Sequence, residues 1–392
     1  MPIFDILDYG ARPDGETLNT AAIQEAIDAC HQAGGGRVFC GPGRFLTGSL
    51  ELKSHVELYL AAGCTLVGSP RLEDYSDLKV EGFIGENAPE GSIKSLIRAV
   101  DAQDVAIIGP GRIEGSGLAF YDTSAMVGRF FRKPRTPRPR MVMFYRCQDV
   151  RFEETSFVDS PCWTFWLMQC ERVRIHRVVI LGDQRMINND GIDIDSCKDV
   201  VVSDCVIKTG DDCLVLRAID QMFASPKPCE SVVVSNCVLD SWCQGVRVGC
   251  PSDGTIRQCT LTNLTIQSAN NGILFENPRR YLWQGLGRAN VQDILFSNVV
   301  IHCAGAPIRI SVEEGIRLRY LGRLTFSHMR MYGGKACMVA GSAETPIQDV
   351  RFEDVQLKVA EEEALICRHC HGIKLVNVEV SSPRGEGEPQ PG

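Results

Sequence analysis

A short phrase recurs along the chain and constrains its fold more than any other feature. It has a cysteine, two mostly polar residues, an aliphatic residue, any residue and then another apolar residue. It reads CQDVRF, CERVRI, CKDVVV, CESVVV and CHGIKL at 147–152, 170–175, 197–202, 229–234 and 370–375. VQDILF at 291–296 and IQDVRF at 347–352 repeat it without the cysteine. A strand-like phrase that returns every 20–50 residues is typical of a solenoid.

The segments between these copies contain too little helical periodicity to form βαβ units. The pattern therefore predicts an all-β protein, a single-stranded right-handed parallel β-helix in which each repeat forms one coil. We expect this domain to span residues 1–380 and the polar tail at 381–392 to be disordered. Residues 20–33 place apolar side chains at helical spacing before three glycines, which predicts a short N-terminal capping helix. The apolar stripe consists of Ile23, Ala26, Ile27 and Cys30.

Charge and hydropathy narrow the classes of partner. The formal net charge is −8 and the pI is near 5.5, which argues against nucleic acid or an anionic membrane as the main partner. No apolar run approaches the roughly 20 residues that a membrane helix needs. The N-terminal stretch MPIFDILDYGARPDG lacks the basic start and apolar core of a secretory signal. We therefore expect a cytoplasmic location, no membrane partner and no cofactor.

Five of the 18 cysteines begin copies of the repeated phrase. Stacking of the coils predicts an inward ladder of cysteines about 4.8 Å apart. Its members are Cys147, Cys170, Cys197 and Cys229. That spacing would also permit disulfides by distance alone, but a large chain without a signal favours reduced core thiols. CRHCH at 367–371 has no second cluster at zinc-ligand spacing, so we expect no metal there.

A second phrase, polar–small–apolar–x–apolar, occurs inside the coils. It reads DGIDID, DCLVLR, QGVRVG and NGILFE at 190–195, 212–217, 244–249 and 271–276, and WTFWLM at 163–168 is a looser copy. Its register predicts one row of Trp163, Asp190, Asp212, Gln244 and Asn271. One outward row is Trp166, Asp193, Val215, Arg247 and Leu274. The other outward row is Met168, Asp195, Arg217, Gly249 and Glu276.

The first row gathers carboxylates. Asp190 and Asp212 lie on adjacent coils, and Asp211 joins them at the same turn. Their repulsion raises at least one pKa, so that one carboxyl can hold a proton while another stays ionised. Glycoside hydrolysis uses two carboxyl groups in different protonation states, one as acid and one as base. The residues by themselves leave two alternatives open, namely turn capping by aspartate and a calcium site of clustered oxygens.

NNDGID at 188–193 and GDDC at 210–213 resemble motifs of the polygalacturonase family of glycoside hydrolases, family 28. DYGARPDG, AIQEAIDAC, AGGGRV and SPCWTFW extend the resemblance from near the N-terminus to about residue 300. The resemblance implies a right-handed parallel β-helix and inverting hydrolysis of pectic polysaccharides and oligosaccharides. It further implies that Asp212 is the general acid, and that Asp190 and Asp211 position and deprotonate the attacking water. The rung spacing is shorter than the roughly 6.5–9.5 Å usual for inverting pairs, so the expected inversion rests on the resemblance.

The sequence departs from the family on the later coils, where the family binds its sugar. Gln244 stands at the position of the family's histidine, and LFE at 274–276 replaces an Arg-Ile-Lys. Gln244 can hydrogen-bond but cannot titrate, Leu274 cannot bind an anion, and Glu276 would repel one. These changes indicate an altered sugar specificity, and Trp166 could stack on the face of a neutral or differently placed sugar.

Arginines of neighbouring coils could supply a displaced anion clamp. Arg247 lies one coil before Leu274, and Arg217 lies two coils before Glu276. The alternative for each is an ion pair, with Asp193 or Glu276 for Arg247 and with Asp195 for Arg217. The predicted substrate-binding residues are Arg247, Gln244, Arg217, Asp193, Trp166, Glu276 and Asn271.

Two further features have structural and functional interpretations. Trp163 is expected to be structural rather than a sugar platform. The basic segment GRFFRKPRTPRPR at 128–140 is expected to be a solvated loop, with a lid over the cleft as the alternative.

The leading hypothesis is an inverting glycoside hydrolase that cleaves galacturonide- or rhamnogalacturonan-derived oligosaccharides. A cytoplasmic enzyme would meet imported fragments, which favours an exo-acting pocket with altered sugar specificity and an oligosaccharide as its partner. The alternatives are a hydrolase of a neutral, non-uronide glycoside, a β-helix polysaccharide lyase with a cation-assisted site, and a non-catalytic sugar-binding protein.

Overall fold

The structure is a computed structural model that describes residues 1–279 and 288–382. Within these ranges the chain winds into stacked coils whose strands pair in parallel, apart from one short antiparallel ribbon and isolated bridges. The predicted right-handed parallel β-helix is thereby confirmed. The predicted tail falls largely outside the described residues, and the last described strand ends at Ser381. No helix in the described ranges is long and apolar enough to cross a membrane.

An eleven-stranded parallel sheet carries the residues of interest, and we call it the site sheet. Its strands are Leu50–Leu52, Ser95–Val100, Arg140–Tyr145, Phe165–Met168, Ile192–Asp195, Leu214–Arg217, Val246–Gly249, Ile273–Glu276, Ile308–Ser311, Cys337–Ala340 and Leu365–Arg368. Each coil contributes one strand, so neighbours in this list are neighbours in space.

The rest of each coil belongs to a 21-stranded sheet. Its strands are Ile3–Asp5, Asp14–Leu18, Gly36–Cys40, Gly43–Thr47, Val56–Leu60, Cys64–Gly68, Gln103–Ile108, Arg112–Glu114, Gln148–Glu153, Ser156–Val158, Glu171–His176, Val179–Leu181, Lys198–Ser203, Val206–Thr209, Cys229–Ser241, Thr255–Ser268, Asn290–Cys303, Tyr320–Gly333, Ile347–Val359, Cys370–His371 and Lys374–Ser381. Short 3-10 helices occur at Ile6–Tyr9, Leu72–Asp74, Gly85–Asn87, Pro89–Gly91, Gly117–Phe120 and Asp220–Met222.

One α-helix, Thr20–Gln32, covers the N-terminal end of the described coils. It buries the predicted stripe of Ile23, Ala26, Ile27 and Cys30. It packs against Ile3–Asp5, Gly36–Cys40 and Leu50–Leu52. The helix therefore shields the apolar interior and the open strand edges of the first coil.

The backbone conformation explains the polar pair in the repeated phrase. The residue just before the aliphatic position has a positive φ in successive coils, for example 55° at Asp149, 56° at Asp199 and 56° at Asp293. Aspartate tolerates this left-handed conformation better than branched residues do. The kink starts the strand with its aliphatic side chain turned inward, as Val150 and Val200 show by their full burial.

The cysteines line the interior as predicted. All 18 are unpaired thiols, and most of them are buried. In the predicted ladder, the backbone N–H of Cys170 donates to Cys197 Sγ at 3.3 Å, and Cys197 Sγ lies 3.2 Å from the Leu167 carbonyl oxygen. Burial raises the pKa of Cys170 and Cys229 well above the usual value, so both stay neutral. Neutral, small and close-packing side chains suit a core with a 4.8 Å repeat.

The outward face of the site sheet is not open along its whole length. A second apolar cluster covers its first strands. The cluster consists of Leu78, Ala88, Met143, Tyr145, Cys162, Trp163, Trp166, Met168, Ile219, Met222 and Phe223. Arg247 and Glu276, on later strands, remain partly exposed. Solvent therefore reaches the site from the side of the later coils.

Candidate active site

The predicted polar row forms at the turn that precedes the site sheet. Backbone N–H groups on each coil donate to carbonyl oxygens of the row on the next coil. The distances are 2.8 Å from Thr164 to Asp190, 2.9 Å from Gly191 to Asp212, 3.1 Å from Cys213 to Gln244 and 3.3 Å from Gly245 to Asn271. The two predicted outward rows are also in register across these strands. The sequence therefore predicted the alignment of the site correctly.

Asp211 is the member of the aspartate trio that is best supplied with hydrogen-bond donors. Its Oδ2 accepts from the backbone N–H of Asn188 at 3.0 Å and from Asn188 Nδ2 at 3.4 Å. Its Oδ1 accepts from the backbone N–H of Asp212 at 3.1 Å. Asp211 is half-buried, so part of the residue remains accessible to solvent. These donors fix the carboxylate while leaving lone pairs for a water molecule.

Asp212 is buried, and burial raises its pKa to about 6. Arg247 opposes this shift, and the charge of Asp211 adds to it. Arg247 Nε lies 2.5 Å from Asp212 Oδ2. Within the described ranges, Asp212 Oδ1 has no hydrogen-bond partner. Asp212 therefore has one buried oxygen without a partner and a pKa at which it can both hold and release a proton.

Asp190 is buried beside a second ion pair. Burial and then the charges of Asp211, Asp193 and Asp212 raise its pKa well above the usual range. Its Oδ2 lies 3.8 Å from Arg217 Nη2, and Oδ1 has no hydrogen-bond partner in the part of the chain described. In the free protein, Asp190 therefore favours the protonated acid.

Arg217 is an internal ion-pair partner and not a surface clamp. Its side chain is 2% exposed, and Nη2 donates to Asp193 Oδ1 at 2.6 Å. Its guanidinium carbon lies 4.1 Å from the centre of the Trp163 ring. The predicted substrate contacts of Arg217 and Asp193 are therefore wrong, because cover from other segments of the chain removes both side chains from solvent. The alternative expectation was an ion pair of Arg217 with Asp195, but Arg217 pairs with Asp193.

Trp166 is also buried completely, which excludes the predicted stacking on a sugar. Its Nε1 donates to Asp195 Oδ2 at 3.2 Å, and Arg140 lies 4.2 Å from its ring centre. Burial raises the pKa of Asp195 to about 6. Trp163, which contacts Trp166 edge to face, has the structural role that was expected for it.

The later coils hold the accessible part of the site. Arg247 pairs with Asp212 and places Nη1 3.5 Å from Glu276 Oε2. The alternative expectation for Arg247 was an ion pair with Asp193 or Glu276, and the structure shows the pair with Glu276. Gln244 Oε1 accepts from the backbone N–H and the Nδ2 of Asn271 at 3.1 and 3.0 Å. Gln244 and Asn271 therefore act first as links between coils, and Arg247 lies at the boundary between the acid and the cleft.

Several supporting residues had no predicted role. Asn189 Oδ1 accepts from the backbone N–H groups of Gly210 and Asp211 at 2.8 and 3.1 Å, which ties the two aspartate turns together. Arg138 is buried and donates to Asn188 Oδ1 at 3.0 Å. The asparagine pair before Asp190 could have indicated this supporting role in the sequence, because two amides at a turn supply local hydrogen bonds.

The basic segment is partly a wall of the site. Met126–Val127 and Phe130–Phe131 form an antiparallel ribbon. Between these strands, Arg129 donates to the carbonyl oxygens of Trp242 and Ala269 at 2.5 and 3.2 Å. These carbonyls lie two residues before Gln244 and Asn271. The segment is therefore neither a wholly solvated loop nor a detached lid, because Phe131 and residues 138–140 are buried and Arg129 is bonded to two coils.

The donor set was also compared with a metal site. Ligand atoms of Asp211, Asp212 and Cys243 lie within 4.8 Å of one another. Burial, and then the charges of Asp211 and Asp212, raise the pKa of the Cys243 thiol well above its usual value, which keeps a proton on the sulfur. Calcium prefers six to eight oxygen ligands, and Arg247 already supplies a cation to Asp212. The residues therefore fit a calcium ion poorly. The sequence CRHCH at 367–371 was expected to hold no metal. In the structure, Cys367 of this segment is exposed on the strand Leu365–Arg368.

Comparison with known proteins shows the family to which the sequence belongs. The family model described as glycosyl hydrolases family 28 matches residues 59–315, and a model for rhamnogalacturonase A/epimerase, pectate lyase-like, matches residues 3–89. A probable polygalacturonase of Vitis vinifera is 27% identical over 300 residues, which cover 74% of this chain and 58% of that protein. An exo-poly-alpha-D-galacturonosidase of Dickeya chrysanthemi is 40% identical over 124 residues, 29% of this chain and 20% of that protein. The chain thus spans well under two thirds of either relative.

The fold also resembles those of solved structures. The structure of an exopolygalacturonase from Thermotoga maritima superposes with a TM-score of 0.78 at 22% identity, and the match covers 97% of this chain and 92% of that one. A polygalacturonase from Erwinia carotovora superposes with a TM-score of 0.69 at 20% identity, covering 93% and 94% of the two chains. These likenesses concern the fold, whereas the family model spans most of the sequence, including all three aspartates. The chain belongs to glycosyl hydrolases family 28.

Proposed function

We propose that the protein hydrolyses glycosidic bonds of pectin-related oligosaccharides with inversion at the anomeric carbon, acting from a chain end. The observation that carries the proposal is the state of Asp212. It has a raised pKa and an uncommitted Oδ1, and it lies next to a carboxylate that three N–H contacts hold in place. Hydrolysis uses one carboxyl group as acid and a second as base, and the inversion proposed here is inferred from the family and not from the spacing of the two carboxyl groups.

Each aspartate has a separate task in this mechanism. Asp212 donates its proton from Oδ1 to the leaving glycosidic oxygen as the bond to the anomeric carbon breaks. Asp211 accepts a proton from the water that attacks that carbon from the opposite face. Asp190, which favours its protonated form, positions the water by hydrogen bonding. After product leaves, the proton on Asp211 returns through solvent to Asp212, which restores the starting state.

The choice of substrate class follows from the family and from the later coils. The relatives include a polygalacturonase and an exo-poly-alpha-D-galacturonosidase, which supports pectic substrates and exo action. Leu274 is buried and Glu276 is engaged with Arg247, so neither offers a cation to a sugar carboxylate. We therefore infer that the sugar on which Asp212 acts is held differently from a galacturonate in the usual family site.

A panel of substrates tests the proposal. The purified protein would be incubated with oligogalacturonides, rhamnogalacturonan fragments and neutral aryl glycosides, with NMR used to follow the anomeric form of the first product. We expect cleavage of a pectin-derived oligosaccharide, single-unit release and an inverted product. An unsaturated product that absorbs in the ultraviolet and is lost with EDTA would instead identify a lyase. Binding without turnover would identify a sugar-binding protein.

A further inference from the structure

Arg309 occupies the outward row of the site sheet one coil beyond Leu274. The strand Ile308–Ser311 pairs with Ile273–Glu276 so that Arg309 is opposite Leu274 and Ser311 is opposite Glu276. Ile308 and Ile310 are fully buried on the inward face. Alternation along a strand therefore directs Arg309 outward, and it is half-buried there. The register therefore places Arg309 beside Leu274, the apolar residue at the position of the family's arginine.

The guanidinium of Arg309 differs in its contacts from those of Arg217 and Arg247. Arg217 is paired with Asp193, and Arg247 is paired with Asp212 and Glu276. Within residues 1–279 and 288–382, no ion pair or hydrogen bond engages the side chain of Arg309. Glu276 is diagonal to Arg309 and within reach of a long side chain, but its carboxylate turns to Arg247. Arg309 is thus the uncommitted cation of this row.

The guanidinium of Arg309 has no acceptor among the described residues, so its five N–H donors are available to a ligand. The planar group is well suited to bind a carboxylate through two parallel hydrogen bonds. We propose that Arg309 binds the carboxylate of a uronic acid unit of the substrate, and that this unit lies beyond the bond that Asp212 protonates.

The spacing of the coils decides which sugar unit is involved. Three strand spacings of about 4.8 Å place the Arg309 backbone about 14 Å from the strand that follows Asp212. That distance is too long for the unit whose bond is cleaved and suits a neighbouring unit. Leu274 lies between the two positions and offers an apolar contact to a sugar face. The substrate class is therefore an oligosaccharide with a carboxylate on a unit next to the cleavage point, a conclusion that rests on the proposed function.

Three variants separate this role from a structural one. Arg309→Gln removes the charge, and Arg309→Lys keeps it without the planar fork. Arg330→Gln is the matched control, because Arg330 is an exposed arginine on the other sheet. The substrates are an oligogalacturonide of defined length and the same oligomer with its carboxylates reduced to alcohols.

We expect Arg309→Gln to raise KM for the carboxylated oligomer by about tenfold to a hundredfold, the size of a charge-assisted hydrogen bond. We expect kcat to change less than about twofold, because Arg309 does not touch the reacting atoms. The reduced oligomer should be unaffected, Arg309→Lys should recover part of the loss, and Arg330→Gln should match the parent protein. Equal losses on both oligomers, or an unchanged KM, would overturn the inference.

A binding measurement keeps the inference separate from the proposed hydrolysis. Calorimetric titration of oligogalacturonide into Asp212→Asn protein, with and without Arg309→Gln, does not need turnover. Weaker binding in the double variant supports the role of Arg309 even if the parent protein hydrolyses none of the substrates. If Asp212→Asn protein does not bind oligogalacturonide, or binds it equally well in the double variant, the inference fails while hydrolysis of another glycoside can still stand.

Discussion

The Nε atom of Arg247 lies 2.5 Å from Oδ2 of Asp212, and the two side chains are only 11% and 4% exposed. An ion pair this buried has a strong influence on protonation, since water screens it little. Burial raises the pKa of Asp212, and Arg247 opposes that rise. Gln244, at the position of the family's histidine, cannot take part in titration. Arg247 is therefore the residue that sets the working pH range of the candidate acid.

Replacing Arg247 by Gln should move this range. Loss of the positive charge raises the pKa of Asp212 further, because only Arg217 then opposes burial and the charge of Asp211. The alkaline limb of the kcat/KM profile reports deprotonation of the acid, so it should shift to higher pH while the maximum rate falls. Profiles of the parent protein, Arg247→Gln and the exposed-site control Arg330→Gln provide the measurement. A limb that stays in place or moves to lower pH would show that Asp212 is not the titrating acid.

The aspartate trio should respond unequally to amide substitution. We expect Asp212→Asn and Asp211→Asn each to lower kcat by about 10²–10⁴, the usual contribution of a general acid or base. Asp190→Asn should cost less, because an amide resembles the protonated carboxyl that burial favours there. Single-turnover rates, with circular dichroism to verify folding, give the comparison. If Asp190→Asn is as inactive as Asp211→Asn, the separate roles assigned to these two carboxyl groups are wrong.

The buried aspartates predict the pH dependence of stability. Burial raises the pKa of Asp193 to about 7 and that of Asp195 to about 6, against about 3.9 in an unfolded chain. Between about pH 4 and pH 7 the folded protein binds more protons than the unfolded chain, so the free energy of unfolding falls as pH rises. This contribution is fully present below about pH 4 and is lost above about pH 7.

Asp193→Asn tests that sign. Although the variant should be less stable because Arg217 loses its partner, the difference between its Tm at pH 5 and at pH 8 should be smaller than in the parent protein. Asp199→Asn, at an exposed position, is the control and should keep the parental difference. An unchanged difference in Asp193→Asn would mean that Asp193 does not take up a proton on folding.

Removal of the Glu276 charge should change specificity. Glu276→Gln takes a negative charge out of the accessible part of the site and leaves Arg247 Nη1 without its second carboxylate. We expect the ratio of kcat/KM for a uronide oligomer to that for its carboxyl-reduced form to rise severalfold, because repulsion of the anion is lost. A ratio that is constant, or that falls, would place the sugar carboxylates away from Glu276.

The interior cysteines allow a chemical count. Unfolding the protein in denaturant without reductant should expose 18 reactive thiols. The same reagent should react in the folded protein mainly with Cys367, the exposed one. Each pair of thiols missing from the total would indicate one disulfide and contradict a reduced ladder.

The sequence by itself determined the fold and the alignment of the site. A phrase whose residues repeat once per coil fixes which side chains are inward, and strand alternation then fixes which rows are outward. The helix Thr20–Gln32, the cysteine ladder and the row from Asp190 to Asn271 followed from this local periodicity. Arg309 lies in the outward row of Arg247 and Leu274, but its strand, IRIS, lacks the polar–small start of the other copies, so the phrase did not reveal it.

Only the tertiary structure decided what each aligned residue can do. Exposure depends on distant segments: the cluster formed with Leu78, Ala88 and Phe223 buries Trp166, and Arg217, which the register also placed outward, is buried against Trp163 of that cluster. Partner choice also depends on side-chain positions that the register leaves open, and Arg247 selects Asp212 and Glu276 over Asp193. Periodicity sets the order of residues along a row because it is a local property. Burial and ion pairing are long-range properties, and here they separate a buried scaffold from the groups that face a substrate.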